Sequence, residues 1–304
     1  MGNHLICKKM KWQEIIGIIG IKSEPPVKEL VPGFIAAILF YFLSFIVCYL
    51  AFRISRIILP KSIHSVTTEF LKTMLICTYP YGHGQIRQLY GSIGYFLTVV
   101  PLAFFTIAAF PDGHGSPLTT FLEFLKGRVS VFSLVFRSFV QTLGAFTSYK
   151  LAMFVWSLRI HSFHTSQFNS TVCSSDLKVS LEVGFVLELL CVAFDTWVNF
   201  QKLSRFPVVD SVLKISNCAL MVCLGVHLTG MYLHPAMASG LSFFCNGTSA
   251  LDHILVYWIS SFLGCYLGNV IHVKVTGLKL KTNQSNGSSH EIVAQAGGIS
   301  KKTN

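Results

Sequence analysis

The chain has 304 residues, of which 52% are apolar and only 12% are charged, and its formal net charge is +11. A soluble domain with such long uncharged apolar runs would aggregate, so the composition excludes that class and indicates a polytopic membrane protein. The excess positive charge falls in loops and tails, which favours contact with an anionic lipid bilayer and argues against a nucleic-acid partner. The nine cysteines show no CxxC pair and no zinc-ligand spacing, and no cofactor is predicted.

The first 62 residues precede the part of the chain that repeats. Residues 1–30 form a basic segment, and residues 31–62 hold an apolar stretch, Val31–Phe52, followed by a basic linker. This stretch has 22 uncharged residues, enough to cross a bilayer. If it does cross, the N-terminal lysines lie on the side opposite to the other basic loops. The sequence therefore leaves open whether it spans the membrane or lies along the interface.

Residues 63–158 form a first unit of three spans and one short helix. The spans are Ile63–Tyr81, Gly91–Phe110 and Phe132–Leu158. Between the second and third spans, Asp112–Lys126 has a glycine-rich turn, a proline and an amphipathic run that is too short to cross the membrane.

Residues 179–275 form a second unit of the same composition, which follows a polar loop at 159–178 and precedes a polar basic tail at 276–304. Its three predicted spans are Val179–Phe200, Ser211–Leu228 and His253–Val273, and its short helix is Pro235–Cys245.

A matched glutamate marks the two units as copies of each other. Glu69 lies 48 residues before Pro117, and Glu188 lies 47 residues before Pro235, each inside an otherwise apolar helix. An odd number of spans per unit makes the second copy enter from the opposite side of the membrane. We therefore predict an all-α membrane protein, a six-span bundle of two inverted three-helix repeats with two re-entrant half-helices and an extra N-terminal hydrophobic helix.

The half-helices predict a pore. Eleven residues from Pro235 make a helix of roughly 16 Å, about half of a ~30 Å hydrocarbon layer. Broken backbone at that depth must be buried in protein or line a wet passage. Each half-helix aims its free N–H groups and the positive end of its dipole at the midplane, where the field repels cations and orients water.

The loop charges predict the orientation and the compartment. If Ile63 starts on the cytoplasmic side, the basic loops are cytoplasmic and the sequons at Asn169 and Asn246 are lumenal, where they are candidate glycosylation sites. Lys301 and Lys302 in the terminal KKTN resemble a dilysine retrieval signal. This pattern predicts residence in the endoplasmic reticulum.

The sequences TEFLKT, VLELL, GSPLTTFLEFL, HPAMASGLSFFC and VYWISSFLG resemble aquaporins over roughly 63–273. More closely, they resemble the divergent intracellular branch, the unorthodox or super-aquaporins, in which the Asn-Pro-Ala boxes are degraded and a cysteine, here Cys245, follows the second. The resemblance implies two pore boxes, permeation of water or small solutes, and a homotetramer. The first box is Gly115, Ser116, Pro117 and Leu118, and the second is His234, Pro235, Ala236 and Met237.

The cap residues of the two boxes must accept a backbone N–H and still donate into the pore. The Ser116 hydroxyl can do both, and so can a neutral His234 through its two ring nitrogens. A charged His234 would oppose the helix dipole, so we predict that acid reduces permeation. The alternative is that His234 only caps its helix.

Met237 stands where orthodox aquaporins carry an arginine, as the resemblance implies. Its side chain predicts a wider, less polar constriction that admits glycerol or hydrogen peroxide, unless Tyr232 or Phe243 refills the space. Glu69 and Glu188 are either proton relays or supports that accept hydrogen bonds from the broken loops, and we favour the second role.

Two lumenal features have ordinary interpretations. His161-x-x-His164 has the spacing of helical metal ligands but lacks a nearby third ligand other than Cys173, so a solvated loop is favoured. A disulfide between Cys173 and Cys245 is compatible with the oxidising side of the membrane.

A channel for water and small neutral solutes is the favoured function. A non-conducting structural protein of the same fold is the main alternative, and a seven-helix receptor has no use for duplicated half-helices. An enzyme is not expected, because the eleven histidines form no HxxxD, HExxH or Ser/His/Asp arrangement.

Overall fold

The computed structural model describes residues 31–170 and 173–276, and within those ranges every regular element is helical. In chain order the helices are α1 (Gly33–Ile58), α2 (Lys61–Ala109), α3 (Pro117–Leu125), α4 (Val131–Ser157), α5 (Ser162–Asn169), α6 (Leu181–Phe200), α7 (Pro207–Gly225), α8 (Pro235–Ser242), α9 (Ala250–His253) and α10 (Ser260–Thr276), with a π-helical turn, Ile254–Ile259, joining the last two. Four helical runs among them are long and apolar enough to cross a membrane: α1, α2, α7 and Ala250–Thr276.

The helix α2 supplies two arms that meet at a sharp bend. Gly91 at the bend has φ 62° and ψ −159°, a conformation that glycine adopts without a steric penalty. The arms fold back on each other, since the hydroxyl oxygens of Tyr79 and Thr106 are 3.0 Å apart. The predicted end of the first span at Tyr81 was wrong, because the helix continues to the bend at Gly91.

The extra helix α1 runs antiparallel to the first arm of α2. At one end Gln85 donates to the carbonyl oxygen of Gly33 at 3.0 Å, and at the other Arg56 pairs with Asp112 at 2.6 Å. Between these contacts the buried rings of Phe40 and Tyr41 pack in a core shared with α2 and α4. The helix therefore follows the full length of the first arm. This arrangement favours an α1 that spans the membrane over one that lies along the interface.

In each repeat the third helix contacts the first helix at a glycine, and the two glycines occupy corresponding positions. A Cβ on Gly144 of α4 would lie 2.5 Å from the carbonyl oxygen of Phe70, and a Cβ on Gly264 of α10 would lie 2.4 Å from that of Leu189. Phe70 and Leu189 directly follow the two repeat glutamates. The same backbone contact thus recurs in both copies, as the predicted duplication requires.

The half-helices α3 and α8 each pack against the opposite repeat. The Sγ atom of Cys265 on α10 lies 3.9 Å from the carbonyl oxygen of Leu118, and a Cβ on Gly240 of α8 would lie 2.4 Å from that of Ala145 on α4. The helix α8 is shorter than the predicted Pro235–Cys245, because the chain becomes extended at Phe243. This crossing places both half-helices in the middle of a six-span bundle with inverted repeats.

The segment with His161 and His164 is folded, so its interpretation as a solvated loop was wrong. His161 caps α5 by accepting from the N–H of Phe163 at 3.0 Å, and His164 is 1% exposed against Phe40. Burial, with a smaller effect of His161, lowers the pKa of His164 to about 4, so the imidazole is neutral near pH 7. The described residues contain no group of three or more metal-ligating side chains.

The close approach at Gly144 predicts a large cost for a single methyl group. We expect Gly144→Ala to lower the stability of the purified protein by about 1–3 kcal/mol, because a backbone carbonyl cannot yield as a side chain can. Thermal unfolding in detergent measures this change. Gly84→Ala is the matched control, since its Cβ would meet only Phe163 at 3.7 Å, and an equal loss in both variants would contradict the packing argument.

Candidate pore site

The N-terminal tips of α3 and α8 meet in the interior of the bundle. Ser116 caps α3, and its Oγ accepts from the N–H of Leu118 at 3.3 Å. His234 caps α8, and its Nδ1 accepts from the N–H of Met237 at 3.1 Å. The Nε2 of His234 lies 2.8 Å from the carbonyl oxygen of Gly115, so one side chain joins the two boxes directly.

These contacts fix the proton position on His234. A carbonyl oxygen only accepts, so Nε2 must carry the hydrogen, and Nδ1 must carry the lone pair that receives the Met237 N–H. The ring is therefore neutral, as expected from the sequence. Its second nitrogen, however, donates to the carbonyl oxygen of Gly115. The prediction from the sequence was that this nitrogen donates into the pore.

The Ser116 hydroxyl differs from the His234 ring because its hydrogen is not donated to another described group. Its oxygen accepts from Leu118, and in the part of the chain that the structure describes no acceptor takes its hydrogen. Ser116, His234 and Met237 are each half-buried at a depth where their neighbours Pro117, Pro235 and Ala236 are fully buried. The tips therefore border a space that a small molecule can reach.

Glu69 holds the backbone that leads into α3. Its fully buried carboxylate accepts from the N–H groups of His114 and Gly115 at 3.1 and 3.0 Å. Arg137 and Gln141 of α4 also donate to it, at 3.0 and 2.8 Å. Four donors fill the two oxygens, so the carboxylate is bound as a structural anion.

Lys72, to which the sequence pattern assigned no role, completes this arrangement. Its ammonium is 5% exposed and donates to the carbonyl oxygens of Phe110 and Gly113 at 2.9 and 2.6 Å. Glu69 and Lys72 are one helical turn apart, so they share a face. The carboxylate satisfies N–H groups and the ammonium satisfies carbonyl groups of the same loop. The signal in the sequence was this Glu-x-x-Lys spacing in an apolar helix.

Glu188 performs the corresponding task in the second repeat with fewer contacts. It is fully buried, accepts from the Thr229 hydroxyl at 2.8 Å and accepts from the N–H of Leu233 at 3.4 Å. Tyr257 adds a second support, because its hydroxyl donates to the carbonyl oxygen of Thr229 at 2.6 Å. No described cation pairs with Glu188, so the two repeats hold their loops with different chemistry.

The side chain of Met237 packs against a small cluster of Cys77, Ala145 and Ala236. The two residues considered as fillers of the space left by arginine are engaged elsewhere. The Tyr232 hydroxyl binds Asp176 and its ring contacts Tyr257, while Phe243 packs on His253 with ring centroids 4.8 Å apart. Both rings therefore have packing partners other than Met237.

A disulfide joins Cys173 to Cys245 and fixes the far end of α8 to the loop at 159–178, with Cα atoms 5.0 Å apart. The candidate glycosylation residues Asn169 and Asn246 are both exposed, at the end of α5 and beside the disulfide. Lys301 and Lys302 lie outside the described residues.

The family model described as major intrinsic protein matches residues 21–272, a range that starts upstream of α1. Aquaporin-11 of Milnesium tardigradum is 25% identical over 219 residues, which cover 72% of this chain and 79% of that protein. Putative aquaporin-12B of Homo sapiens is 25% identical over 249 residues, covering 79% and 80%. Aquaporin SIP1-1 of Arabidopsis thaliana is 27% identical over 138 residues, covering 44% and 54%.

Among solved structures, the aquaglyceroporin from Plasmodium falciparum aligns with a TM-score of 0.54 and 14% sequence identity. The alignment covers 70% of this chain and 96% of that chain, and it shows a common fold.

The two glutamates should respond differently to the same substitution. In Glu69→Gln the amide NH₂ replaces one of the two oxygens that accept from four donors, so donors are left facing a donor. We expect the free energy of unfolding to fall by about 3–5 kcal/mol and little protein to fold. In Glu188→Gln the amide oxygen can take the Leu233 N–H and the NH₂ can donate to the rotatable Thr229 hydroxyl, so we expect a loss of about 1 kcal/mol. Size-exclusion profiles and thermal unfolding of the two proteins measure the difference. Equal losses would contradict the hydrogen-bond assignments.

Proposed function

Because the chain belongs to the major intrinsic protein family and has relatives in its divergent aquaporin branch, we propose a passive channel for water and small neutral solutes. Members of this family are membrane channels and not enzymes. The contact between His234 and Gly115 supports the proposal most directly, because it brings the two half-helix tips together. Three box residues beside that contact, Ser116, His234 and Met237, are half-buried, and we propose that they border a path along the converging helix dipoles.

The proposed permeants include glycerol and hydrogen peroxide as well as water. The side chain of Met237 brings no charge and no hydrogen-bond donor to the second box, and the buried residues that it packs against are small and apolar. A passage lined in this way is less selective for water than one with a fixed guanidinium, since selectivity follows diameter and lining donors.

A non-conducting protein of the same fold is the second candidate, and one observation favours it. The imidazole of His234 reaches across to the carbonyl oxygen of Gly115, so it occupies part of the cross-section between the boxes. Movement of this ring opens the passage in the first candidate, and a permanently fixed ring closes it in the second.

We also propose a homotetramer, with one pore in each subunit, in the membrane of the endoplasmic reticulum. The tetramer rests on the family, and the compartment rests on the basic KKTN terminus. The proposed orientation puts the disulfide and the exposed Asn169 and Asn246 in the lumen, where an oxidising environment and glycosylation are both present.

Stopped-flow light scattering of proteoliposomes tests conduction. Under an osmotic gradient we expect shrinkage faster than in protein-free liposomes, with smaller increases under glycerol and peroxide gradients. Ser116→Trp should return all three rates to the protein-free level, because the indole fills the space between the tips. Equal rates for the native protein and Ser116→Trp would favour the non-conducting candidate.

Acid should reduce the flux through His234. A second proton must go on Nδ1, which then cannot accept the Met237 N–H, so charging the ring removes the cap of α8 and adds a cation at a positive helix end. Because burial and these two contacts favour the neutral ring, charging requires more acid than for a free imidazole. We expect water flux to stay level from about pH 8 to about pH 5 and to fall below about pH 5, and to stay level throughout in His234→Asn, whose amide does not titrate there. A flat profile in the native protein, or the same fall in both proteins, would contradict this role.

A further inference from the structure

A cavity of about 490 Å³ lies where α1 ends and α2 begins, outside the pore site. Its lining residues come from three segments, namely the last turn of α1, the first turn of α2 and the loop before α3. They are Arg56, Lys61, His64, Ser65 and Asp112. The volume falls within the range of about 300–1,000 Å³ that is typical of sites for small organic ligands, and it exceeds the need of a single small ion.

The lining combines cations with a hydroxyl and one carboxylate. Arg56 and Asp112 form an ion pair at 2.6 Å, yet their side chains are 39% and 51% exposed. Exposed ion pairs contribute little stability, so a ligand with stronger charge can separate them at small cost. Lys61 is exposed, and α2 begins there without a side-chain cap. The cavity therefore offers two strong cations to an anion and a carboxylate to a hydroxyl donor.

The position of the cavity along the helices points to a lipid as the source of the ligand. Four isoleucines next to the lining residues are strongly exposed: Ile54 53%, Ile57 82%, Ile58 73% and Ile63 42%. Such side chains in a membrane protein contact acyl chains. The neighbouring cations, Arg56 two residues after Ile54 and Lys61 three residues after Ile58, then lie at the level of the lipid headgroups, where basic residues attract anionic lipids.

We propose that this cavity binds the phosphorylated inositol headgroup of a membrane lipid on the face predicted to be cytoplasmic. Arg56 and Lys61 bind the phosphate, since arginine forms a bidentate fork with phosphate oxygens and lysine acts as a point charge. Asp112 and Ser65 bind ring hydroxyls. The carboxylate is the reason for a phosphorylated polyol, because Asp112 can accept hydrogen bonds from ring hydroxyls, which a headgroup with phosphate alone lacks.

Native mass spectrometry of the full-length protein in detergent tests the site with dioctanoyl phosphatidylinositol 4-phosphate as the probe. We expect saturable binding of one lipid per subunit and a loss of affinity of about tenfold or more in Arg56→Gln and in Arg56→Gln/Lys61→Gln. Arg53→Gln is the matched control. It removes the same charge from α1 one turn earlier, where the arginine contacts Tyr49 and does not line the cavity. Lys61→Gln alone serves as a second variant if Arg56→Gln yields no folded protein.

Several outcomes would overturn the proposal. An equal loss in Arg53→Gln would show attraction by overall charge and no site. We expect dioctanoyl phosphatidic acid to bind more weakly than dioctanoyl phosphatidylinositol 4-phosphate. Equal affinities for the two lipids would show that the ring hydroxyls have no role. Soluble inositol 1,4-bisphosphate that binds as tightly as the lipid would show that the acyl chains contribute nothing, and it would assign the site to a soluble ligand.

Discussion

Non-helical backbone in the middle of a membrane protein has to be satisfied from within, and this constraint organises the whole molecule. Each repeat interrupts its helices at a loop whose N–H and C=O groups cannot reach water. Glu69 and Lys72 supply an acceptor and a donor to one loop, and Glu188 and Tyr257 supply them to the other. Without these buried groups the half-helices would have no fixed starting point, and their tips would not meet.

The two repeats have diverged in how they meet the same requirement. Gly144 and Gly264 occupy matched places in the third helices, and seven residues earlier in each helix stand Arg137 and Tyr257. Arg137 neutralises Glu69, whereas Tyr257 leaves Glu188 alone and binds the loop carbonyl instead. The glutamate that holds the first loop is therefore paired with a cation, whereas the second loop is held through hydrogen bonds from uncharged donors. The spacing of the glutamates could not reveal this difference.

Local patterns in the sequence predicted the helices, the duplication and the meeting of the half-helices. The matched distances from Glu69 to Pro117 and from Glu188 to Pro235 report directly on the repeat, and a proline at the first helical position marks each tip. Relations between distant residues were not predictable. The contact of His234 with Gly115 spans 119 positions, the burial of His164 depends on Phe40, and the bend at Gly91 depends on how the two arms of α2 pack. The family confirms the fold and the channel class, while the roles of the individual box residues stay predictions.

The substitution of histidine at the second cap changes how the two boxes divide their work. An asparagine can accept one backbone N–H and still present its NH₂ to a passing molecule. In this chain the longer imidazole donates its only N–H to the carbonyl oxygen of Gly115. That oxygen also accepts from the Thr73 hydroxyl at 3.2 Å. The second box thus contributes its dipole and a bridge to the first box, and the free hydroxyl of Ser116 is left as the donor between the tips. In the proposed channel, a permeant that needs two donors at the midplane would be held less tightly, so we expect the rate of permeation to depend more on the position of the His234 ring than on the strength of binding to the boxes.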